Sequence, residues 1–302
     1  MTKWLGLFLY LALLVGFPAN ISAQNGDDEV ITVDSSIVVM NASVTDVAGK
    51  RSLGLNGKLF HVFEDGQEQE IKIFEAESTP FAAVILIDTS GSMEGRVTLA
   101  RAAAIQFLDG MRGEDFTAIY KFDSKMDMLQ DFSNIHEMSD QVYDIKANGT
   151  TVLNDAVYKA AELLSKRPEK RRAIIVLSDG ADTASKRSAD KALRGALLAN
   201  ASIYAVDMSA LDTGGSERFQ TQSVLKNFAE KSGGRFVATS GGPAMRDAFR
   251  RIVEELGGQY TIAYQPTNTK KDGKWRIIEL RISRPNLTIR TRKGYNAPKV
   301  AK

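Results

Sequence analysis

The apolar run Phe81 to Ile87 ends in Asp88-Thr89-Ser90-Gly91-Ser92, which sets one carboxylate and two hydroxyls at alternating positions. A buried strand stopping here presents those oxygens at its tip, and Gly91 allows a tight backbone turn. Oxygen-only donors at this spacing suit a hard divalent cation, Mg²⁺ ahead of Mn²⁺ or Ca²⁺. Two later segments bring further oxygens. Gly149-Thr150-Thr151-Val152-Leu153-Asn154-Asp155-Ala156 reads as a loop entering a helix, and a second apolar strand, Ala173 to Ser178, ends in Asp179-Gly180.

The elements that must position these groups alternate between strand and helix from Phe81 to about Leu256. Strands are predicted at Phe81–Ile87, Phe116–Phe122, Ala173–Ser178, Ser202–Asp207 and Arg235–Ala238, with an extra edge strand at Asp127–Phe132. Helical faces are formed by Val97, Ala100, Ala104, Phe107 and Met111, by Ala156, Ala160, Leu163 and Leu164, and by Met245, Phe249, Ile252, Val253 and Leu256. Such alternation predicts an α/β fold with a doubly wound, mainly parallel sheet, whose ligands gather at the C-terminal ends of the strands. That is the edge where Asp88 and Asp179 fall.

On either side the pattern is β. Val38, Met40, Ala42 and Val44 alternate with polar or small residues; Leu59–Phe63 and Ile71–Phe74 flank Glu64-Asp65-Gly66-Gln67, a hairpin signal. After Gly257-Gly258 come Tyr260–Tyr264, Trp275–Ile282 and Leu287–Thr291. Neither flank has enough strands to close a core, so the two are expected to combine into a β-sandwich domain built from N- and C-terminal segments, residues 30–78 and 259–296, with the α/β domain at 80–258 inserted. Two independent flanking pieces are the alternative.

Asp88-x-Ser90-x-Ser92 after a hydrophobic strand resembles the metal-ion-dependent adhesion site of von Willebrand factor A domains, and the three segments are arranged like the coordinating loops of that family. The resemblance implies that Ser90, Ser92 and Thr151 bind the cation, with Asp88 and Asp179 held mainly through water. Thr150 stands where a second glycine is usual in the family and is the alternative to Thr151. Two carboxylates among neutral hydroxyls would leave Mg²⁺ electrophilic on its open side, with a water that an Asp or Glu of a partner could replace. The family's usual action, protein–protein recognition across a divalent ion, agrees. In related A domains the last helix, here about Ala244 to Leu256, can shift on ligand engagement; a rigid helix is the simpler expectation. The whole chain after its leader is similar to a bacterial group of exported proteins related to von Willebrand factor A. Val44-Thr45-Asp46, Val62-Phe63-Glu64-Asp65-Gly66, Tyr264-Gln265-Pro266-Thr267-Asn268 and Arg292-Lys293-Gly294-Tyr295 carry that likeness by their order.

Composition narrows the remaining classes. With 43% hydrophobic and 25% charged residues the chain is globular, and a net charge of +2 gives no global reason to expect nucleic acid. Without cysteine there is no disulfide, thiolate nucleophile or thiolate metal site, and two histidines argue against a zinc centre. Lys3, the apolar stretch Trp4 to Phe17 and the small-residue exit Pro18 to Ala23 read as a signal peptide over residues 1–23, hence export to the periplasm or beyond. An uncleaved anchor is the alternative, although the stretch falls short of the ~20 residues that cross a bilayer.

No Gly-x-Gly-x-x-Gly or Gly-x-x-x-x-Gly-Lys-Ser/Thr follows the first strand, so no nucleotide is expected. A hydrolase would need a base beside Asp88 and Asp179; His61 falls in the hairpin and His136 is placed in a surface helix. A non-enzymatic protein-binding module is therefore favoured, with an envelope scaffold whose cation only rigidifies the loops as alternative. Arg281, Arg284, Arg290, Arg292 and Lys293 make the last strands basic, which leaves membrane contact open, but alternation reads them as a solvated face.

Overall fold

The computed structural model describes residues 37–76, 79–209, 216–238 and 242–299. The proposed leader at 1–23 lies outside them. Among the described residues no helix is long and apolar enough to cross a membrane.

The first segment comprises β1 (Val38–Asp46), β2 (Phe60–Glu64), β3 (Gln67–Gln69) and β4 (Ile71–Ala76). Asp65 and Gly66, both at positive φ, make the tight turn joining β2 to β3. The Asp-Gly signal thus marks a real hairpin, but Ile71–Phe74 is not its second arm. The chain crosses after Gln69, and β4 pairs in a different sheet. Phe74 there packs with Phe60 and Tyr260, ring centroids 5.0 and 5.6 Å away, a burial that continued pairing along β2 would not provide.

The α/β region follows as β5 (Phe81–Asp88), α1 (Val97–Gly110), β6 (Phe116–Phe122), β7 (Met126–Ser133), α2 (Leu153–Ser165), β8 (Arg171–Ser178), α3 (Ala189–Leu198), β9 (Ala201–Asp207), α4 (Ser216–Ser232), β10 (Phe236–Ala238) and α5 (Gly242–Leu256). Its six-stranded sheet runs β10-β9-β8-β5-β6-β7, parallel except for the antiparallel edge strand β7. All eight residues of β5 are buried, because helices cover both faces. Phe81, Ala83, Ile85 and Ile87 pack with α1 and α5, while Ala82, Val84 and Leu86 pack with α2, α3 and α4. α3 and α4 do not stand out in the sequence, since their buried faces reduce to Ala192, Leu193, Ala196 and Leu197 and to Leu225, Phe228 and Ala229. His136 lies exposed in the loop after β7, not in a helix.

The last segment holds β11 (Tyr260–Tyr264), β12 (Trp275–Ile282), β13 (Leu287–Arg290) and β14 (Gly294–Asn296). Together with the first segment these form two antiparallel four-stranded sheets, β13-β1-β11-β4 and β14-β12-β2-β3. Met40, Ala42, Val62, Ile262, Tyr264 and Ile278 share one apolar cluster drawn from both sheets.

The solvated-face reading of the basic strands fails at two positions. Arg292 is 8% exposed, and Arg290 turns inward to pair with Glu255 of α5. Alternation along a strand places a side chain on a face, but here that face is covered by the α/β region. Arg281 does lie outward, paired with Glu279 at 2.8 Å.

Candidate functional site

β5 is central, and its chain neighbours lead to opposite sides: α1 to β6 on one, and later α2 to β8 on the other. This makes the C-terminal end of β5 the switch point of the sheet, where a crevice must open. Three loops meet there. Thr89 N–H donates to Phe122 O at 2.8 Å, Asn148 N–H to Thr89 O at 2.7 Å, and Gly91 N–H to Gly149 O at 3.1 Å, so the loop before α2 is laced to the loop after β5.

Asp88 is fully buried. Its Oδ1 accepts from the backbone N–H and hydroxyl of Ser90, at 2.9 and 2.6 Å, and its Oδ2 accepts from the Ser178 hydroxyl at 2.6 Å. Ser90 Oγ lies 3.1 Å from Ser92 Oγ, and Ser92 is exposed. No lysine or arginine pairs with Asp88 among the described residues. Burial therefore dominates and pushes its carboxyl up; the hydrogen bonds from Ser178 and Ser90 pull it down, and the nearby Asp179 charge pushes it up again, for a result of about 6 against 3.8.

Asp179 is half-buried, and its Oδ1 accepts from Ala181 N–H at 3.1 Å. Thr151 is 3% exposed, whereas Thr150 is exposed. The Thr151 hydroxyl makes no hydrogen bond among the described residues. The structure thus brings Asp88, Ser90 and Ser92 into direct contact, and sets Thr151 and Asp179 in the two loops beside them. The donors are hydroxyl-rich: no group of three or more acidic, histidine or cysteine side chains able to hold a metal converges among the described residues.

Sequence reasoning missed the groups that hold these loops. Ser178 is one; its signal was register, since Ile87 pairs with Leu177 and the next residues of the two strands are Asp88 and Ser178. The segment after β8 is another. Thr183 Oγ1 accepts from Thr151 N–H at 3.0 Å, Asp182 Oδ2 from Asn154 N–H at 2.8 Å, and Ser185 Oγ from Asp155 N–H at 3.1 Å. Asp182 and Ser185 cap the α2 start, whose own N-cap, Val152, supplies no side-chain bond, and Thr183 fastens the loop just before it. Asp155 answers by accepting from Lys186 and Arg187 N–H and pairing with the Arg187 guanidinium at 3.0 Å. It is occupied in clamping, as a helix-start carboxylate should be. Asp182→Ala is expected to lower thermal stability by about 1 kcal/mol through loss of this cap. Thermal denaturation measures the loss; an unchanged midpoint would mean that the Asp182 carboxylate does not cap α2.

Residues 83–181 match the family model of the von Willebrand factor type A domain. The chain is 31% identical over 115 residues to inter-alpha-trypsin inhibitor heavy chain H3 of Bos taurus, covering 33% of this chain and 13% of that protein. It is 27% identical over 165 residues to heavy chain H4 of Bos taurus, covering 50% of this chain and 17% of that one. The chain spans less than a fifth of the length of these relatives. Among solved structures, the vWF domain of the type V pili tip protein Mfa5 from Porphyromonas gingivalis is similar, with 15% identity, a TM-score of 0.49, and coverage of 59% of this chain and 95% of that one. A von Willebrand factor type A protein from Catenulispora acidiphila is similar with 13% identity, a TM-score of 0.48, and coverage of 89% and 76%.

Proposed function

Given the von Willebrand factor type A domain that the chain carries at residues 83–181, we propose that it is an exported, non-enzymatic protein-binding module that captures an acidic group of its partner through a divalent cation. The observation that carries this reading is the Asp88 carboxylate, fully buried, without a cationic partner among the described residues, and near a second carboxylate, Asp179. A buried charge without a counter-charge is costly, and a hard cation resolves it. The donor set fits Mg²⁺, with Mn²⁺ or Ca²⁺ as substitutes: Ser90, Ser92 and Thr151 would hold it, supported by Asp88 and Asp179. When bound, the cation would act as a Lewis acid for a carboxylate of the partner; the protein's own part is to fix the hydroxyls and keep the carboxylates paired.

His61 hydrogen-bonds Glu68 at 2.9 Å and Ser283 at 2.8 Å, not Ser90 or Ser92, so it is not a base for the hydroxyls beside Asp88. We read the two β sheets as one sandwich domain formed by the flanks, with the α/β domain inserted.

Isothermal titration of Mg²⁺ and Mn²⁺ into EDTA-stripped protein should show saturable binding to one site, lost in Asp88→Ala while the far-UV circular dichroism is retained. Absence of binding to the wild type would sink the cation reading. If EDTA lowers thermal stability but releases no protein partner from pull-downs, the cation has a scaffolding role and the capture reading fails.

A further inference from the structure

Three Asn-Gly pairs occur in the chain: Asn25-Gly26, outside the described residues, Asn56-Gly57 and Asn148-Gly149. Asparagine is among the thermolabile residues, and a following glycine, lacking a side chain, leaves its backbone nitrogen unshielded. The fold sets the two described pairs apart. Asn56 and Asn148 are both exposed, so access to water does not distinguish them.

At Asn56 the side chain is turned past the glycine. Its Oδ1 accepts from Lys58 N–H at 2.9 Å and caps the 3-10 turn Gly57–Leu59. Gly57 is also pressed on Phe74, whose ring lies 2.8 Å from where a Cβ would stand. At Asn148 the side chain folds back over the glycine instead. Oδ1 lies 2.7 Å from the Gly149 nitrogen, whose N–H has no other acceptor among the described residues. Cγ is bonded to that oxygen and is therefore within about 4 Å of the same nitrogen. The backbone on either side is fixed, since Asn148 N–H donates to Thr89 O at 2.7 Å and Gly91 N–H to Gly149 O at 3.1 Å. Gly149 stands at a φ of 79° with room around it: beyond its chain neighbours, no atom comes nearer than 3.9 Å to a Cβ placed there. Two groups held at this range react as an intramolecular pair.

We propose that Asn148 is a self-modification site, converted by water alone to aspartate and isoaspartate. The Gly149 nitrogen gives its proton to solvent hydroxide and bonds to Cγ. The Cγ–Nδ2 bond breaks and ammonia leaves, closing a cyclic imide. Water then opens the imide: attack at Cγ gives aspartate, and attack at the main-chain carbonyl carbon gives isoaspartate, with one more carbon along the backbone path. Either product adds a carboxylate to the loop that carries Thr151. Its effect on the partner rests on the cation reading, under which the new charge opposes an incoming acidic group; the conversion itself does not depend on that reading.

The test is incubation of the EDTA-treated full chain at pH 8 and 37 °C, followed by peptide mapping by mass spectrometry, with an isoaspartyl methyltransferase marking isoaspartate. In the folded protein Asn148 should convert at least ~10-fold faster than Asn56, and the two rates should converge in guanidinium chloride, where positioning is lost. Asn148→Gln should abolish the conversion in its peptide, which assigns it to Asn148 rather than to Asn154. Equal rates at Asn148 and Asn56 in the folded protein would overturn the proposal. So would a difference that persists unchanged in denaturant, because the fold would then not be its cause, or aspartate formed without isoaspartate, because direct hydrolysis passes through no imide.

Discussion

At pH 7 and without divalent cations, Asp88→Asn is expected to resist urea better than the wild type, by up to about 3 kcal/mol. That magnitude is the rise from 3.8 to about 6 at about 1.36 kcal/mol for each unit of pKa. The sign follows from linkage. A carboxyl whose pKa is raised by folding binds its proton more tightly folded than unfolded, so stability falls as pH climbs from about 4 to about 6 and stays low above. Asparagine removes the charge and retains most of the volume between Ser90 and Ser178. On the proposed cation reading, Mg²⁺ at about a thousand times its dissociation constant should reverse the order, since binding to the native state alone would stabilise the wild type by ~4.1 kcal/mol and leave the variant unmoved. Urea titrations at pH 7 and pH 4, with EDTA and with Mg²⁺, measure all of this. If Asp88→Asn is the less stable protein in EDTA at pH 7, the hydrogen bonds from Ser90 and Ser178 already compensate the charge, and the structural case for a cation loses its footing.

Glu255→Ala should cost about 3–5 kcal/mol, the range for removing one member of a buried ion pair. Glu255 is 5% exposed at the end of α5 and is held from three directions. The Tyr204 hydroxyl donates to it at 2.6 Å, Arg235 lies at 3.0 Å, and Arg290 of β13 pairs with it directly. Burial pushes this carboxyl up, but Arg290, the Tyr204 hydroxyl and Arg235 outweigh burial and hold it below the usual glutamate value of 4.5. Here the sign is opposite to that of Asp88: the stabilisation is present above about pH 4.5 and is lost as pH falls through the lower folded value. Urea denaturation of Glu255→Ala, Arg290→Met and the double variant gives the coupling; a double variant no more stable than the sum of the single losses predicts would mean the two side chains act independently.

The same contacts bear on the mobility of the last helix. Arg51 donates to Glu254 O and Arg171 to Gly257 O, so both the end of α5 and the turn beyond it are fastened to neighbouring elements. Hydrogen exchange over Ala244–Leu256 should be slow in the wild type and fast in Glu255→Ala. Fast exchange already in the wild type would show that these bonds do not anchor the helix.

How much of this was legible beforehand depends on the range of the physics involved. The strand ending at Asp88, the helical face of Val97 to Met111, and the alternation of Val38 to Val44 are recorded locally, because periodicity states which side of an element must leave water. The oxygen-bearing run Asp88 to Ser92 was legible for the same reason: it interrupts an apolar strand at a point where only a turn can follow. What periodicity cannot carry is which element lies opposite. Ile71–Phe74 reads as a strand from its own residues, but its partner was decided by the aromatic packing of Phe74 on Phe60 and Tyr260. Arg290 and Arg292 read as solvated because charge is normally left in water; the reading fails where Glu255, Leu197 O and Asn200, 35 to 95 positions away, supply the missing acceptors. Likewise the Asp88 carboxylate could be picked out by its neighbours in the chain, whereas its burial beneath Ser178, 90 positions distant, came only with the register of β5 against β8. The kinds of atom at the site are a property of the sequence. Their charge state and accessibility are properties of the packing, since both depend on groups that only the folded chain brings within a few ångströms.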